Sequence, residues 1–351
     1  MAPRLERLLL AARALGLRRD DSYTEHVYEP IPGAPCAYRR VEGALRPLMY
    51  AEFENGNGVR AFEATAAKFL AALPALAPDK HLLSFEDGVL DIATMQFSET
   101  DEILADPAHP LSGRVARHHV AGGRWMPERD APVFNRVLDC QFDWPDCEGV
   151  KDFLCAMLGR LFFEVGELDR WRAAPFLYGI GGSGKSLIVN FLTRCLFREG
   201  AAGHLASERE ACFPLFGIVD CELVVNCALP ERMSRSLGSE HTRVICSGGP
   251  VLITRKHLPP VEVPAWKAPA VFASNYPPPP WSLRERRLLP FHFGVRPPSL
   301  DGGLSDGLRE EAPAILRQIL AAYRALLEQV GPDADIFAAA PGAVREWAGL
   351  P

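Results

Sequence analysis

Apolar positions recur along this chain with two periods, and the alternation between them outlines its architecture. The opening run RLERLLLAARALGLRRD sets leucines at helical spacing between charges, which predicts an amphipathic helix. Residues 20–60 lose any period: YEPIPGAPCAYRR and ENGNG supply Pro, Gly and Asn turn signals. VRAFEATAAKFLAALPAL returns to helix and is stopped by proline, while HLLSFEDGVLDIATMQF reads as two short strands around a turn at Glu86, Asp87 and Gly88. Within residues 150–165, VKDFLCAMLGRLFF has a 3.6-residue period and predicts a further helix.

From about residue 172 the pattern alternates: APFLYG, KSLIVNFLTRCLF, CELVVNCA and APAVFASN read as strand, helix, strand, strand. This predicts an α/β layer with a central, mainly parallel sheet. The chain ends in helix, with Ile315, Leu316, Ile319, Leu320, Tyr323, Leu326, Leu327 and Val330 on one stripe. Two domains are expected: a mostly helical one over residues 1–150, and an α/β one over residues 151–351 that closes with the C-terminal helices.

Composition narrows the class. Of 351 residues, 48% are hydrophobic and 23% charged, an ordinary folded composition. No apolar run reaches the roughly 20 residues that would span a bilayer, and the opening run lacks the uninterrupted apolar centre of a signal peptide, so no membrane partner is expected. Nine cysteines, an odd count without a CxxC pair, indicate neither a disulfide framework nor a zinc site, and place the chain in an intracellular, reducing compartment. Net charge is −6, yet residues 241–300 hold eight Lys and Arg (Arg243, Arg255, Lys256, Lys267, Arg284, Arg286, Arg287 and Arg296) against Glu262 and Glu285. A basic stretch in an acidic chain fits a localised anion site, and equally a solvated basic face.

The strongest chemical signal is GIGGSGKS, which fits G-x-x-x-x-G-K-[ST] from Gly179 to Ser186 and sits between an apolar strand and a helix. Gly179, Gly181, Gly182 and Gly184 let the backbone turn its N–H groups onto phosphate oxygens. Lys185 would offset charge on the β and γ phosphates and Ser186 would hold Mg²⁺, with Ser183 and Leu187 completing the contacts to ATP.

Further along, residues 246–293 bring Gly248 and Gly249 before a candidate hairpin, Ser274 and Asn275 at the end of a strand, and Arg286 and Arg287 before LLPFHF. Upstream, Phe85, Gly88, Val89 and Asp91 match the phrase aF-x-NGV-x-D. In this order, over residues 80–295, the chain resembles superfamily 3 helicases, specifically the helicase part of the poxvirus-type primase-helicases of large DNA viruses. The resemblance implies an AAA+ P-loop NTPase domain working as a homo-hexameric ring on single-stranded or forked DNA, with any primase carried elsewhere. It implies that Asn275 aligns the attacking water and that Arg286 or Arg287 reaches a neighbouring subunit's nucleotide. In the hairpin VLITRKHLPPVEV, Arg255, Lys256 and His257 would contact DNA phosphates.

One part departs from the pattern. A carboxylate should follow the strand ELVVNC, but Ala228 or Leu229 stands there; Glu231 comes two or three residues late, and Glu222 lies at the strand's other end. Either Glu231 reaches back to the metal or hydrolysis is weak. The expected activity is therefore ATP hydrolysis coupled to DNA unwinding. A P-loop kinase of a small metabolite, or an ATP-binding ring or loader with weak turnover, stand as alternatives.

Overall fold

Stretches of period two become strands and stretches of period 3.6 become helices in a computed structural model that describes residues 2–19, 27–34, 36–40, 59–120, 123–125, 128–205, 215–229, 239–255, 258–297 and 303–350. Contacts divide the chain into two units, Met1–His119 and Val120–Pro351. The division falls ahead of the expected position near residue 150.

The first unit runs α1 (Ala2–Ala14), β1 (Arg18–Arg19), β2 (Val27–Pro30), β3 (Tyr38–Arg40), α2 (Val59–Ala72), β4 (Asp79–Ser84), β5 (Gly88–Asp91), β6 (Gln96–Glu99), α3 (Thr100–Ala105) and β7 (Ala116–His119). The leucine-rich opening run does form an amphipathic helix: Leu8 and Ala12 of α1 are buried with Phe69 of α2. The strands expected around Glu86, Asp87 and Gly88 are β4 and β5, antiparallel with Ser84 opposite Val89. A mostly helical N-terminal domain is not what the described residues show. They carry a three-stranded sheet β1-β2-β3 and a four-stranded sheet β6-β5-β4-β7. Strands of two to six residues give a weak alternation beside two long, strongly periodic helices, so the helices dominate the sequence pattern.

In the second unit come α4 (Pro132–Phe142), α5 (Val150–Gly159), β8 (Ala174–Gly179), α6 (Lys185–Phe191), β9 (Ala202–His204), β10 (Leu223–Leu229), α7 (Ser239–Ser247), β11 (Val251–Arg255), β12 (Leu258–Val263), β13 (Ala270–Ser274), α8 (Pro280–Arg284), β14 (Leu288–Phe293), α9 (Leu304–Glu310), α10 (Ala312–Val330) and α11 (Gly342–Trp347). Five strands form one sheet in the order β14-β8-β13-β10-β9, and every neighbouring pair is parallel.

Both faces of this sheet are covered, as parallel sheets require. On one, Phe176, Val224, Phe272 and Leu288 pack with Ile245 of α7, Ile253 of β11 and Trp266. On the other, Phe291 meets Phe153 of α5 at 6.0 Å and Phe293 meets Phe142 of α4 edge-on at 5.3 Å. These contacts explain why α4, expected to belong with the N-terminal domain, joins the second unit. The N-terminus of α4 is held from far along the chain: the buried carboxylate of Glu311 accepts hydrogen bonds from the Val133 N–H (2.9 and 3.0 Å) and the Phe134 N–H (3.1 Å). That side chain takes two of the amides a helix start leaves without partners.

The strand order positions the site. After β8 the chain crosses to the far edge at β9, then returns so that β13 and β14 flank β8 on either side. Parallel strands end at one edge of the sheet, and the change of direction opens a crevice there.

Candidate functional site

At that edge Gly179 ends β8 and Lys185 begins α6. Gly179 has φ +133°, and a Cβ on it would lie 2.2 Å from the Phe293 carbonyl oxygen, so β14 comes too close for any side chain. Gly182 and Gly184 also have positive φ, +77° and +99°. The Lys185 ammonium donates to the carbonyls of Gly179 (3.0 Å) and Ile180 (2.7 Å) and to Ser183 Oγ (3.2 Å). Ser183 Oγ in turn donates to the Ile180 carbonyl at 2.8 Å. Burial pushes the Lys185 pKa below its usual value. Ser186 is exposed, and Leu187 faces a small cavity of about 120 Å³ that it shares with Phe191 and Leu308. A tight loop, a helix start and a buried ammonium together make a fit for an anion with several oxygens.

Three residues around the loop have no sequence signature. Gln141, buried at the end of α4, donates from Nε2 to the Ser183 carbonyl (3.2 Å) and the Val295 carbonyl (2.7 Å), and its Oε1 accepts from the Val295 N–H (3.1 Å). Arg296 donates from Nε to the Gly181 carbonyl at 2.9 Å. His292 lies between Tyr178 (ring centroids 5.0 Å apart) and Trp347 (5.9 Å). Loss of water around the ring, and then the charge of Lys185, lower its pKa. The basic stretch of residues 241–300 contained Arg296, but nothing in the sequence singled it out; Gln141 and His292 gave no signal.

Asn275 does come to the loop. Ser274 pairs with Tyr178 in the parallel ladder, so the exposed Asn275 stands level with Gly179 on the adjacent strand. On the next strand out, Leu229 pairs with Ser274 after a register shift beyond Asn226. From Asn226, opposite Phe272, to Leu229, opposite Ser274, the strand carries no carboxylate. Glu222 is at the opposite end of β10, where its Oε1 accepts from Arg198 Nε at 2.8 Å. Glu231 lies outside the described residues. Among the described residues no group of three or more His, Cys, Asp or Glu side chains converges to hold a metal. The Ser186 hydroxyl at the helix end of the loop would be one oxygen ligand for Mg²⁺, and positions 226–229 offer no carboxylate beside it.

Arg286 and Arg287 are not brought to the loop of their own chain. Leu288 pairs with Ala174 and Phe293 with Gly179, so the arginines precede the far end of β14, separated from the loop by roughly 16 Å of strand. Arg286 has φ +53° and forms an ion pair with Asp335. Arg287 is half-buried: its Nε has no hydrogen-bond partner among the described residues, an Nη donates to the Arg286 carbonyl at 3.4 Å, and with Arg160 it opposes the burial that pushes the Cys246 thiol up to about 12.

The candidate hairpin is present as β11 and β12, antiparallel, with Val251 opposite Val263 and Arg255 opposite Leu258. Its tip, Lys256 and His257, lies outside the described residues, and Arg255 is placed by its backbone alone. Elsewhere the basic stretch is partly neutralised: Arg243 pairs with Glu285 (3.1 Å) and Lys267 with Glu164 (3.6 Å). No helix among the described residues is long and apolar enough to cross a membrane.

No protein-family model matches the chain, and no curated protein matches it. Among solved structures it is similar to the A form apo structure of the NrS-1 C-terminal region, with 11% identity and TM-score 0.49 over 92% of this chain and 74% of that one. A second apo structure of that region, residues 305–718, gives 12% and 0.48 over 95% and 76%. A third gives 11% and 0.45 over 97% and 79%. Likeness at this level leaves the function to be read from the chain's own residues.

Proposed function

We propose that the chain is an ATP-dependent DNA helicase module of the superfamily 3 kind, an AAA+ ring translocating on single-stranded DNA. The observation that carries this reading is the division of the catalytic set across the sheet. Lys185 and Asn275 meet at one edge, while Arg286 and Arg287 stand at the other. An arginine acting on a phosphoryl group must touch it, so either could serve only a nucleotide held by a neighbouring subunit. In this reading Gly179 to Leu187 wrap the phosphates of ATP and Asn275 orients the attacking water. The Ser186 hydroxyl holds Mg²⁺, which when bound neutralises charge between the β and γ oxygens. Arg255, Lys256 and His257 line the DNA path.

The test is subunit mixing. A Lys185→Ala chain and an Arg286→Ala, Arg287→Ala chain are each expected to be inactive, and their mixture to regain DNA-stimulated ATPase where an intact loop meets an intact arginine. A mixture as inactive as its parts overturns action between subunits. A second reading, an ATP-binding ring with weak turnover, is favoured by the lack of a carboxylate at positions 226–229. It predicts assembly on ATP with little hydrolysis even when DNA is present. A metabolite kinase would show neither ring assembly nor DNA dependence.

A further inference from the structure

The segment that leaves β14, residues 294–297, lies across the loop and is fastened there by one buried side chain. Gln141 binds Val295 through both its amide oxygen and its amide nitrogen, and the same nitrogen donates to Ser183 inside the loop. The next residue is Arg296, whose Nε donates to the Gly181 carbonyl. A Cβ on Gly182 would have the Arg296 Nε as its nearest neighbour, at 4.0 Å, and one on Gly181 would meet nothing within 4 Å, so the guanidinium stands beside an open stretch of loop. Arg296 is exposed, and the structure gives its two terminal nitrogens no hydrogen bond or ion pair to the described residues. A guanidinium whose Nε edge is fixed on a carbonyl still presents a planar edge of donors, the geometry that suits phosphate oxygens.

We propose that Arg296 is a same-subunit ligand for the terminal phosphate of a nucleoside triphosphate, and that Gln141 is the residue that positions it. The inference rests on the reading of the loop as a nucleotide site. Lys185 begins the helix and would reach the β and γ phosphates, while Gly181 and Gly182, beside Arg296, lie nearer the strand end of the loop, which would leave the terminal phosphate between the Lys185 ammonium and Arg296. A diphosphate would not reach it. Arg296 therefore sets the preference for triphosphate over diphosphate within one chain, a role separate from that of Arg286 and Arg287 toward a neighbour.

The experiment measures affinity for ADP and for the β,γ-imido analogue of ATP, each with Mg²⁺, in wild type, Lys185→Ala, Arg296→Ala, Arg296→Lys, Gln141→Leu and the Arg296→Ala, Gln141→Leu double variant. Arg296→Ala should cut the triphosphate preference about tenfold while leaving ADP affinity within about twofold. Arg296→Lys should restore only part, since it returns the charge without the fork. Gln141→Leu should lower the same ratio, and the double variant should be no worse than Arg296→Ala, because both changes remove one interaction. An unchanged triphosphate-to-diphosphate ratio in Arg296→Ala overturns the proposal, and additive losses in the double variant overturn the role of Gln141. Arg296 is exposed, so its replacement does not threaten the fold. If wild type binds neither nucleotide, or Lys185→Ala binds both as well as wild type, the nucleotide reading falls and this inference falls with it. If Lys185→Ala loses both while Arg296→Ala keeps the ratio, only this inference falls.

Discussion

His292 shows how a single residue reports on the loop. Its ring is flanked by Tyr178 and Trp347 and faces the charge of Lys185, so the folded chain holds its proton less tightly than the unfolded chain does. A histidine with a lowered folded pKa adds nothing to the pH dependence of stability well above its unfolded value near 6.5. As pH falls through that value the unfolded state takes up the proton first, and stability is lost until the folded pKa is passed. Between about pH 7.5 and about pH 5.5, wild type should therefore lose more thermal stability than His292→Asn; parallel melting curves for the two would remove His292 as a source. This residue, like Gln141 and Arg296, was not legible in the sequence. The loop and Asn275 are spelled by adjacent letters, whereas Gln141 finds Ser183 across 42 positions and Arg296 finds Gly181 across 115. Pairings at that range leave no local pattern, because they exist only once the sheet has set β14 beside β8.

Among the elements, long periodic helices and the strand before the loop were legible, and short strands were not, since two or three residues cannot display a period. The α5–α10 contact shows what the pattern of apolar residues omits. Gly159 sits in helical conformation, φ −63° and ψ −35°, where alanine would ordinarily gain about 1 kcal/mol in helix propensity. A Cβ there, however, would lie 2.0 Å from the Ile319 carbonyl oxygen of α10, a backbone atom that cannot turn aside. Overpacking of this sort costs about 1–3 kcal/mol, so the steric term outweighs the propensity term. Gly159→Ala should lower the urea midpoint at unchanged m-value. An equal or higher midpoint would show that the two helices separate without loss. The register shift beyond Asn226 belongs to the same scale. Sequence spacing alone places a carboxylate relative to a strand by counting, and a shifted register changes which residue that count selects.

For the molecule as a whole, the remaining question is where nucleic acid would run, and the charge pattern limits the answer. Net charge is −6, and the basic excess lies within residues 241–300. Three cations of that stretch are already paired, Arg243 with Glu285, Lys267 with Glu164 and Arg286 with Asp335. Arg287 is half-buried near Cys246, and Arg296 is engaged at the loop through its Nε. That leaves Arg255, Lys256 and Arg284, and the first two fall with His257 in the sequence that joins β11 to β12, whose strands pair up to Arg255 and Leu258. In a ring each subunit would offer the same tip to the strand. Neutralised phosphates release counterions, so affinity should fall with salt at a slope of about −0.7 per phosphate on single strands, with little regard for sequence. Lys256→Ala should weaken single-strand binding and flatten that slope, whereas Lys267→Ala, whose ammonium already faces Glu164, should leave it as in wild type. Affinity across a salt series for the three proteins decides the matter: a slope unaltered by Lys256→Ala, or altered as much by Lys267→Ala, would move the DNA path away from the hairpin.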